Sequence, residues 1–206
     1  MKYIFVAGAP GSKWSSVVKN IYHSADIDRS DYSDARTYYH NASGEHQLMH
    51  MGAYFDPGME FDLSAQMNLE SRESLEALFD SAFAPDSSGI RIIKSHIFCN
   101  NIDFIRKTWP ECPIVLVHRN DDACLGWWVK CGHFDITYPL YHDYYKDLKT
   151  MAVIIQQQNK DLLTAWWKYD GRYVTDNKQL ASAVQIEAPE KDYQDYVQSD
   201  IRVKVI

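Results

Sequence analysis

Short apolar runs recur along this chain, and four of them have the length of β-strands. The predicted strands are 2–7, 90–94, 114–118 and 172–175. Three of these runs are almost continuously apolar, which is typical of parallel strands that are covered on both faces. The last segment, 201–206, alternates apolar and polar residues instead, which predicts a strand at an edge of the sheet.

Segments with helical periodicity separate these runs. The predicted helices are 15–22, 69–83, 102–109, 122–131 and 150–168. In the longest of them, apolar residues recur at helical spacing: Val153, Ile154, Leu162, Leu163, Trp166 and Trp167. Strands that alternate with helices predict an α/β fold of three layers, in which helices flank a mostly parallel central sheet.

Residues 26–63 are the least regular part of the chain, because polar, aromatic and glycine residues mix there without a clear period. We interpret this part as a loop-rich excursion over one face, of the kind that often carries substrate contacts. A pair of strands and a helix is an alternative interpretation. The 206 residues contain no internal repeat and no linker-like composition, so we expect residues 1–206 to form a single domain.

The formal net charge of −7 narrows the choice of partners. A uniformly acidic surface does not hold nucleic acid or an anionic membrane, although a small anion can still bind in a locally basic pocket. No apolar stretch approaches the roughly 20 residues that span a bilayer, and the N-terminal run is too short for a signal peptide. The four cysteines form no CxxC pair, which predicts buried free thiols in a cytoplasmic protein.

Residues 6–18, VAGAPGSKWSSVV, lead from an apolar strand through a glycine-containing turn into a helix. Such a connection aims several backbone N–H groups at one point, and the helix N-terminus adds partial positive charge, so a phosphate fits there. The Walker A pattern fails at three fixed positions, which hold Ala7, Ser12 and Trp14. Because an indole cannot coordinate magnesium as a hydroxyl would, a loop that hydrolyses ATP is disfavoured. A turn without any ligand is the other alternative.

The same loop resembles the 5′-phosphosulfate loop of the sulfotransferase family, written Gly-x-Pro-Lys/Arg-Ser-Gly-Thr-Thr/Ser. The basic and glycine positions of that pattern are exchanged here, with Gly11 and Lys13 in each other's place. Trp14 is also a candidate to stack on adenine. Four positions match without a gap: Gly8, Pro10, Ser12 and Ser15. The resemblance implies that the backbone of residues 11–16, with Lys13 and Ser15, binds the 5′-phosphosulfate. The residues of this segment that we expect to bind the donor are Gly8, Pro10, Gly11, Ser12, Lys13, Trp14, Ser15 and Ser16.

A second segment, IRIIKSHIF at residues 90–98, is similar to the strand and Lys-Thr-His motif of cytosolic sulfotransferases. The resemblance implies that His96 is the general base that deprotonates the acceptor, and that Lys94 stabilises the transferring group. Neutral imidazole can take a proton at physiological pH, and a lysine can offset charge on the bridging oxygen. A histidine that only hydrogen-bonds a backbone carbonyl is the structural alternative.

A third segment, PIVLVHRNDDACLGWW at residues 113–128, resembles the family's strand–Arg-Asn-Pro-x-Asp–helix segment. The resemblance implies that Arg119 binds the 3′-phosphate of the donor nucleotide, a task that suits the planar and permanently charged guanidinium. The alternative is that Arg119 pairs with Asp121 or Asp122, and that Asp122 caps the following helix.

Together these segments occur in the family's order over about the first two-thirds of the chain, without a counterpart of its basic C-terminal segment. They imply a P-loop-like sulfotransferase that moves a sulfuryl group from 3′-phosphoadenosine 5′-phosphosulfate (PAPS) to a hydroxyl or amine of a small molecule or glycan. The product is 3′-phosphoadenosine 5′-phosphate (PAP). We expect catalytic roles for His96, Lys94 and Lys13, and a monomer or homodimer.

Two other functions remain open: an ATP-dependent kinase of small molecules or nucleotides, and a non-catalytic nucleotide-binding protein. We expect no metal, because His133 and His142 lack the spacing of a helical ligand pair. The tyrosine-rich stretch 131–145 is either a wall of the acceptor site or an amphipathic helix.

Overall fold

A mostly parallel sheet forms the centre of the protein. The computed structural model describes residues 1–31, 51–59, 61–130, 147–189 and 200–206. Within these ranges the sheet has seven strands, in the order β3-β2-β4-β1-β5-β7-β6. β7 runs antiparallel to its neighbours β5 and β6, and the other pairs of neighbouring strands are parallel. The strands are β1 Tyr3–Gly8, β2 Ala53–Asp56, β3 Phe61–Asp62, β4 Arg91–Ser95, β5 Ile114–Arg119, β6 Arg172–Val174 and β7 Ile201–Val205.

Helices connect the strands, and short polar side chains begin three of them. The caps Ser71, Asp147 and Asp176 each accept a hydrogen bond from the backbone N–H three residues later, which satisfies an amide that the helix leaves free. The helices are α1 Trp14–Tyr22, α2 Arg72–Asp80, α3 Ile102–Thr108, α4 Asp121–Lys130, α5 Leu148–Lys168 and α6 Asn177–Val184.

The central strand β1 is buried along its whole length, because helices cover both faces of the sheet. Successive strand residues point to opposite faces. Ile4 and Val6 belong to an apolar cluster with α1 and α6, whereas Phe5 belongs to a second cluster with α2 and α3. This arrangement confirms the predicted α/β class with a mostly parallel sheet.

Several predicted elements differ from the structure. The C-terminal strand β7 lies between β5 and β6, so its prediction as an edge strand is wrong and β6 is the edge. The helix predicted at 69–83 begins only at Arg72, because Ser71 caps it. Within the part predicted as a loop-rich excursion, the described residues contain β2 and β3. The short helix α6 was not predicted, and the indole of Trp167, placed among the apolar positions of α5, is 75% exposed.

Two further findings concern membrane spans and the cysteines. No helix among the described ranges is long and apolar enough to cross a membrane. Cys99, Cys112 and Cys124 are buried free thiols, as predicted for them. Cys131 and the whole stretch 131–145, with His133 and His142, lie outside the described residues.

Candidate functional site

The three sequence segments that resemble the sulfotransferase family meet at one edge of the sheet. β1 lies between β4 and β5, and all three strands are parallel. Their carboxyl ends therefore lie side by side, where ligands of parallel α/β sheets characteristically bind. The loop 8–13 follows β1, His96 follows β4 directly, and Arg119 is the last residue of β5.

The loop is a tight turn that packs against α4. The amide of Ser12 donates to the carbonyl of Ala9 over 3.0 Å. Gly11 has a φ of +80°, and a Cβ at this position would lie 2.0 Å from the carbonyl oxygen of Cys124. A side chain cannot fit there without moving α4, so position 11 requires glycine.

Lys13 is the N-cap residue of α1, and its backbone adopts the left-handed conformation with a φ of 60°. No side chain caps this helix, so the first amides of α1 are not bonded by a capping group. Ser15 and Ser16 lie half-buried in the first turn. The hydroxyl of Ser12 is fully buried and has no hydrogen-bond partner among the described residues. Buried hydroxyls are normally bonded, so Ser12 has a free donor at the loop.

His96 contacts the loop directly. Its Nδ1 lies 2.6 Å from the carbonyl oxygen of Gly8, and since a carbonyl only accepts, Nδ1 carries the proton. The lone pair of the neutral ring is therefore on Nε2. Burial lowers the pKa of His96, against the opposing charge of Asp56 and the bond to Gly8. The imidazole is thus neutral at pH 7, in the tautomer that leaves Nε2 as the base.

Two aromatic rings enclose the imidazole. The indole of Trp14 stacks on it with ring centroids 4.0 Å apart and planes at 13°. Tyr54 contacts the edges of both rings, with centroids 5.6 Å from His96 and 5.4 Å from Trp14. The indole of Trp14 is only 4% exposed and belongs to the apolar core. The ring that we expected to stack on adenine stacks on His96 instead.

A buried carboxylate, Asp56, fixes the position of this group. Its Oδ1 accepts from the hydroxyl of Ser95 over 2.9 Å and from the amide of His96 over 3.0 Å. Its Oδ2 accepts from the hydroxyl of Tyr54 over 2.9 Å. Asp56 and Tyr54 were not predicted as site residues, because they lie in the irregular part of the chain where no pattern marked them.

Lys94 is fully buried beside these rings. Its ammonium donates to the carbonyl of Met51 and lies 6.0 Å from the rings of both Trp14 and Tyr54. Burial lowers the pKa of Lys94 to about 7, although the charge of Asp31 opposes this. The structure thus places the ammonium against the backbone of residue 51.

Arg119 connects the end of β5 to the loop. Its Nη1 donates to the carbonyl of Gly11 over 3.1 Å, and its Nε pairs with Asp200 at 2.8 Å. The alternative that Arg119 pairs with Asp121 or Asp122 is therefore wrong. The helix cap expected from Asp122 is wrong as well, because Asn120 supplies the side-chain oxygen that accepts from the amide of Asp122.

Comparison of the chain with protein-family models, with curated proteins and with solved structures found no match. In the part of the chain that the structure describes, no group of three or more histidine, cysteine, aspartate or glutamate side chains could hold a metal ion. The function of the chain is therefore inferred from the geometry of the site.

Proposed function

We propose that the protein is a P-loop-like sulfotransferase, which transfers a sulfuryl group from PAPS to a hydroxyl or amine of a small-molecule or glycan acceptor. One observation carries the proposal. The bond of His96 to the Gly8 carbonyl and that of Arg119 to the Gly11 carbonyl bring the three motifs together at one loop. Three chance likenesses need not follow neighbouring strands, whereas here they follow β4, β1 and β5, which are adjacent in the sheet.

In the proposal the donor lies across the loop. The first amides of α1, with Ser12, Ser15 and Ser16, bind the 5′-phosphosulfate, since a helix N-terminus favours an anion. Arg119 binds the 3′-phosphate on the β5 side of the loop. Support comes from the uncapped start of α1 and from the free hydroxyl of Ser12.

His96 supplies the acid–base chemistry. Its Nε2 takes the proton of the acceptor hydroxyl while the acceptor oxygen bonds to sulfur. The bond between sulfur and the bridging phosphate oxygen breaks, and PAP leaves with the electron pair. The amides of the loop stabilise the charge on that oxygen. For Lys94 to assist, as the resemblance implies, its ammonium has to exchange the Met51 carbonyl for the transferring group.

Calorimetric titration tests the donor site. We expect PAP to bind without metal and more tightly than ADP or ATP with magnesium. Arg119→Gln should weaken PAP binding by about 10-fold or more, since it removes a charged hydrogen bond. Arg106→Gln is the matched control, because Arg106 lies at the end of α3, near Pro110, on the opposite edge of the sheet.

A turnover assay tests the proposed role of His96 as the general base. With PAPS and a panel of hydroxyl and amine acceptors, His96→Gln should lower the rate of PAP release by about 100-fold or more while PAP still binds. A preference for ATP with magnesium would support a kinase instead. Binding of PAP without transfer to any acceptor would support a non-catalytic nucleotide-binding protein.

A further inference from the structure

Three basic side chains surround the indole of Trp127, on α4. The ammonium of Lys13 lies 4.5 Å from the ring centroid, that of Lys130 lies 5.6 Å from it, and the guanidinium of Arg119 lies 5.9 Å from it. We call these four residues the Trp127 cluster. Its members come from the loop, from the end of β5 and from α4, so the fold and not a local repeat brings them together.

The cluster carries more positive charge than the described carboxylates paired with it. Among the described residues, Asp200 pairs with Arg119, and neither Lys13 nor Lys130 forms an ion pair. Burial raises the pKa of Asp200, but its bond to Arg119 and the charge of Lys13 hold that pKa below the usual value. Among the described side chains, these three cations and one carboxylate sum to a charge of about +2 beside the loop, in a chain whose total formal charge is −7. Like charges gathered around one ring repel each other, and a bound anion relieves the repulsion.

The cluster also shows where the loop lysine points. Because β1 lies between β4 and β5, His96 and Arg119 stand on opposite sides of the loop. The ammonium of Lys13 shares the ring of Trp127 with Arg119, so it lies on the β5 side. A lysine at position 11 is excluded by the contact with Cys124. Because the loop lysine stands at position 13 and not at position 11, its charge lies on the β5 side of the loop, away from His96.

We propose that Lys13, Arg119 and Lys130 form one subsite for the phosphate monoester of the donor nucleotide, with Trp127 as its apolar wall. This inference rests on the proposed function and deepens it, because it assigns Lys130 to the site and moves Lys13 from the sulfuryl group to the 3′-phosphate. A phosphate monoester carries a charge of about −1.5 to −2 at pH 7, which matches the excess charge of the cluster.

Matched ligands test the subsite. PAP carries the 3′-phosphate and AMP lacks it, so the ratio of their affinities measures what that phosphate contributes. We expect Lys13→Gln and Lys130→Gln each to weaken PAP binding by about 10-fold at low salt, with AMP binding changed by less than about twofold. Lys107→Gln, on the exposed face of α3, is the control and should change neither affinity.

The outcomes separate this inference from the proposed function. If wild-type protein does not bind PAP, both are wrong. If PAP binds and Arg119→Gln weakens it, but Lys13→Gln and Lys130→Gln reduce PAP and AMP binding equally, the subsite is wrong and the donor site stands. Melting temperatures of each variant within a few degrees of the wild-type value show that the fold is intact.

Discussion

The indole of Trp14 lies flat against the imidazole of His96, with ring centroids 4.0 Å apart. Both rings are almost fully buried, and the Nδ1 of the imidazole donates a hydrogen bond to the Gly8 carbonyl. This contact keeps water from one face of the ring and fixes its orientation. Because burial is the main cause of the lowered pKa of His96, the indole is part of that cause.

Trp14→Leu should therefore raise the pKa of His96 towards that of an exposed histidine, since water reaches the ring. We also expect it to lower the free energy of unfolding by about 2 kcal/mol, because a large core side chain is shortened. Titration of the His96 ring proton by NMR measures the pKa. Trp167→Leu removes an exposed indole and is the control. An unchanged pKa in the Trp14 variant would show that the stacking does not keep His96 neutral.

Replacing glycine by alanine should change the free energy of unfolding in opposite directions at two positions near the site, Gly11 and Gly126. Gly11→Ala places a methyl group against the Cys124 carbonyl and forces a left-handed backbone, so we expect a loss of about 3 kcal/mol or more. Gly126 lies inside α4, and the position that an alanine Cβ would occupy there has no other atom within 4 Å. Gly126→Ala should stabilise the protein by about 0.5–1 kcal/mol through helix propensity. Urea unfolding of both variants measures this difference, and a Gly11→Ala variant as stable as the wild type would contradict the packing of the loop on α4.

The strands that build the site were predictable, because β1 and β5 are mostly apolar runs of the kind that a central parallel sheet buries on both faces, and β4 centres on the buried pair Ile92 and Ile93. The loop, His96 and Arg119 directly follow these strands, so their place at the carboxyl edge of the sheet was predictable. That β4, β1 and β5 are neighbours was not predictable. The place of β7 was not predictable either, because the choice of neighbour in a sheet depends on residues far away in the sequence. A single chain segment shows whether it is a strand, but not which strand it joins.

The partners within the site were less predictable than the motifs. Asp56 binds Ser95 and His96 from a strand of only four residues, a length at which no period is visible. Trp127 looks like any core tryptophan in the sequence, and only the folded loop brings Lys13 to its ring. These contacts connect residues that are between 39 and 114 positions apart, so no local pattern reports them.

Lys94 makes the stability of the protein depend on pH above neutrality. Its pKa is about 7 in the folded protein and near 10.5 in the unfolded chain. Between these values the unfolded state holds a proton that the folded state has lost, so stability rises with pH. From pH 7 to 8.5 the rise due to this group is about 1.5 kcal/mol. Lys94→Met should remove it, and urea unfolding of both proteins at the two pH values measures the difference. Equal slopes would mean that the amine remains charged when buried.

We expect the protein to lose stability at acidic pH because of His118. It lies opposite Arg202 in the pairing of β5 with β7, and its Nδ1 accepts a hydrogen bond from that guanidinium over 3.0 Å. Burial and the charge of Arg202 lower the pKa of His118 to about 4, while Asp121 opposes the shift. A protonated ring could no longer accept the bond from Arg202.

The folded pKa of His118 lies below the unfolded value of 6.5, so the unfolded state binds the proton first as the pH falls. Between pH 6.5 and 4.5 this group should cost about 2 kcal/mol of stability. In His118→Gln the side-chain carbonyl can still accept from Arg202, and it does not titrate, so the variant should lose less stability over the same range. Urea unfolding at both pH values, with His96 unchanged in both proteins, isolates the contribution of His118. Parallel curves for the two proteins would show that His118 titrates normally and that its bond to Arg202 does not hold the ring neutral.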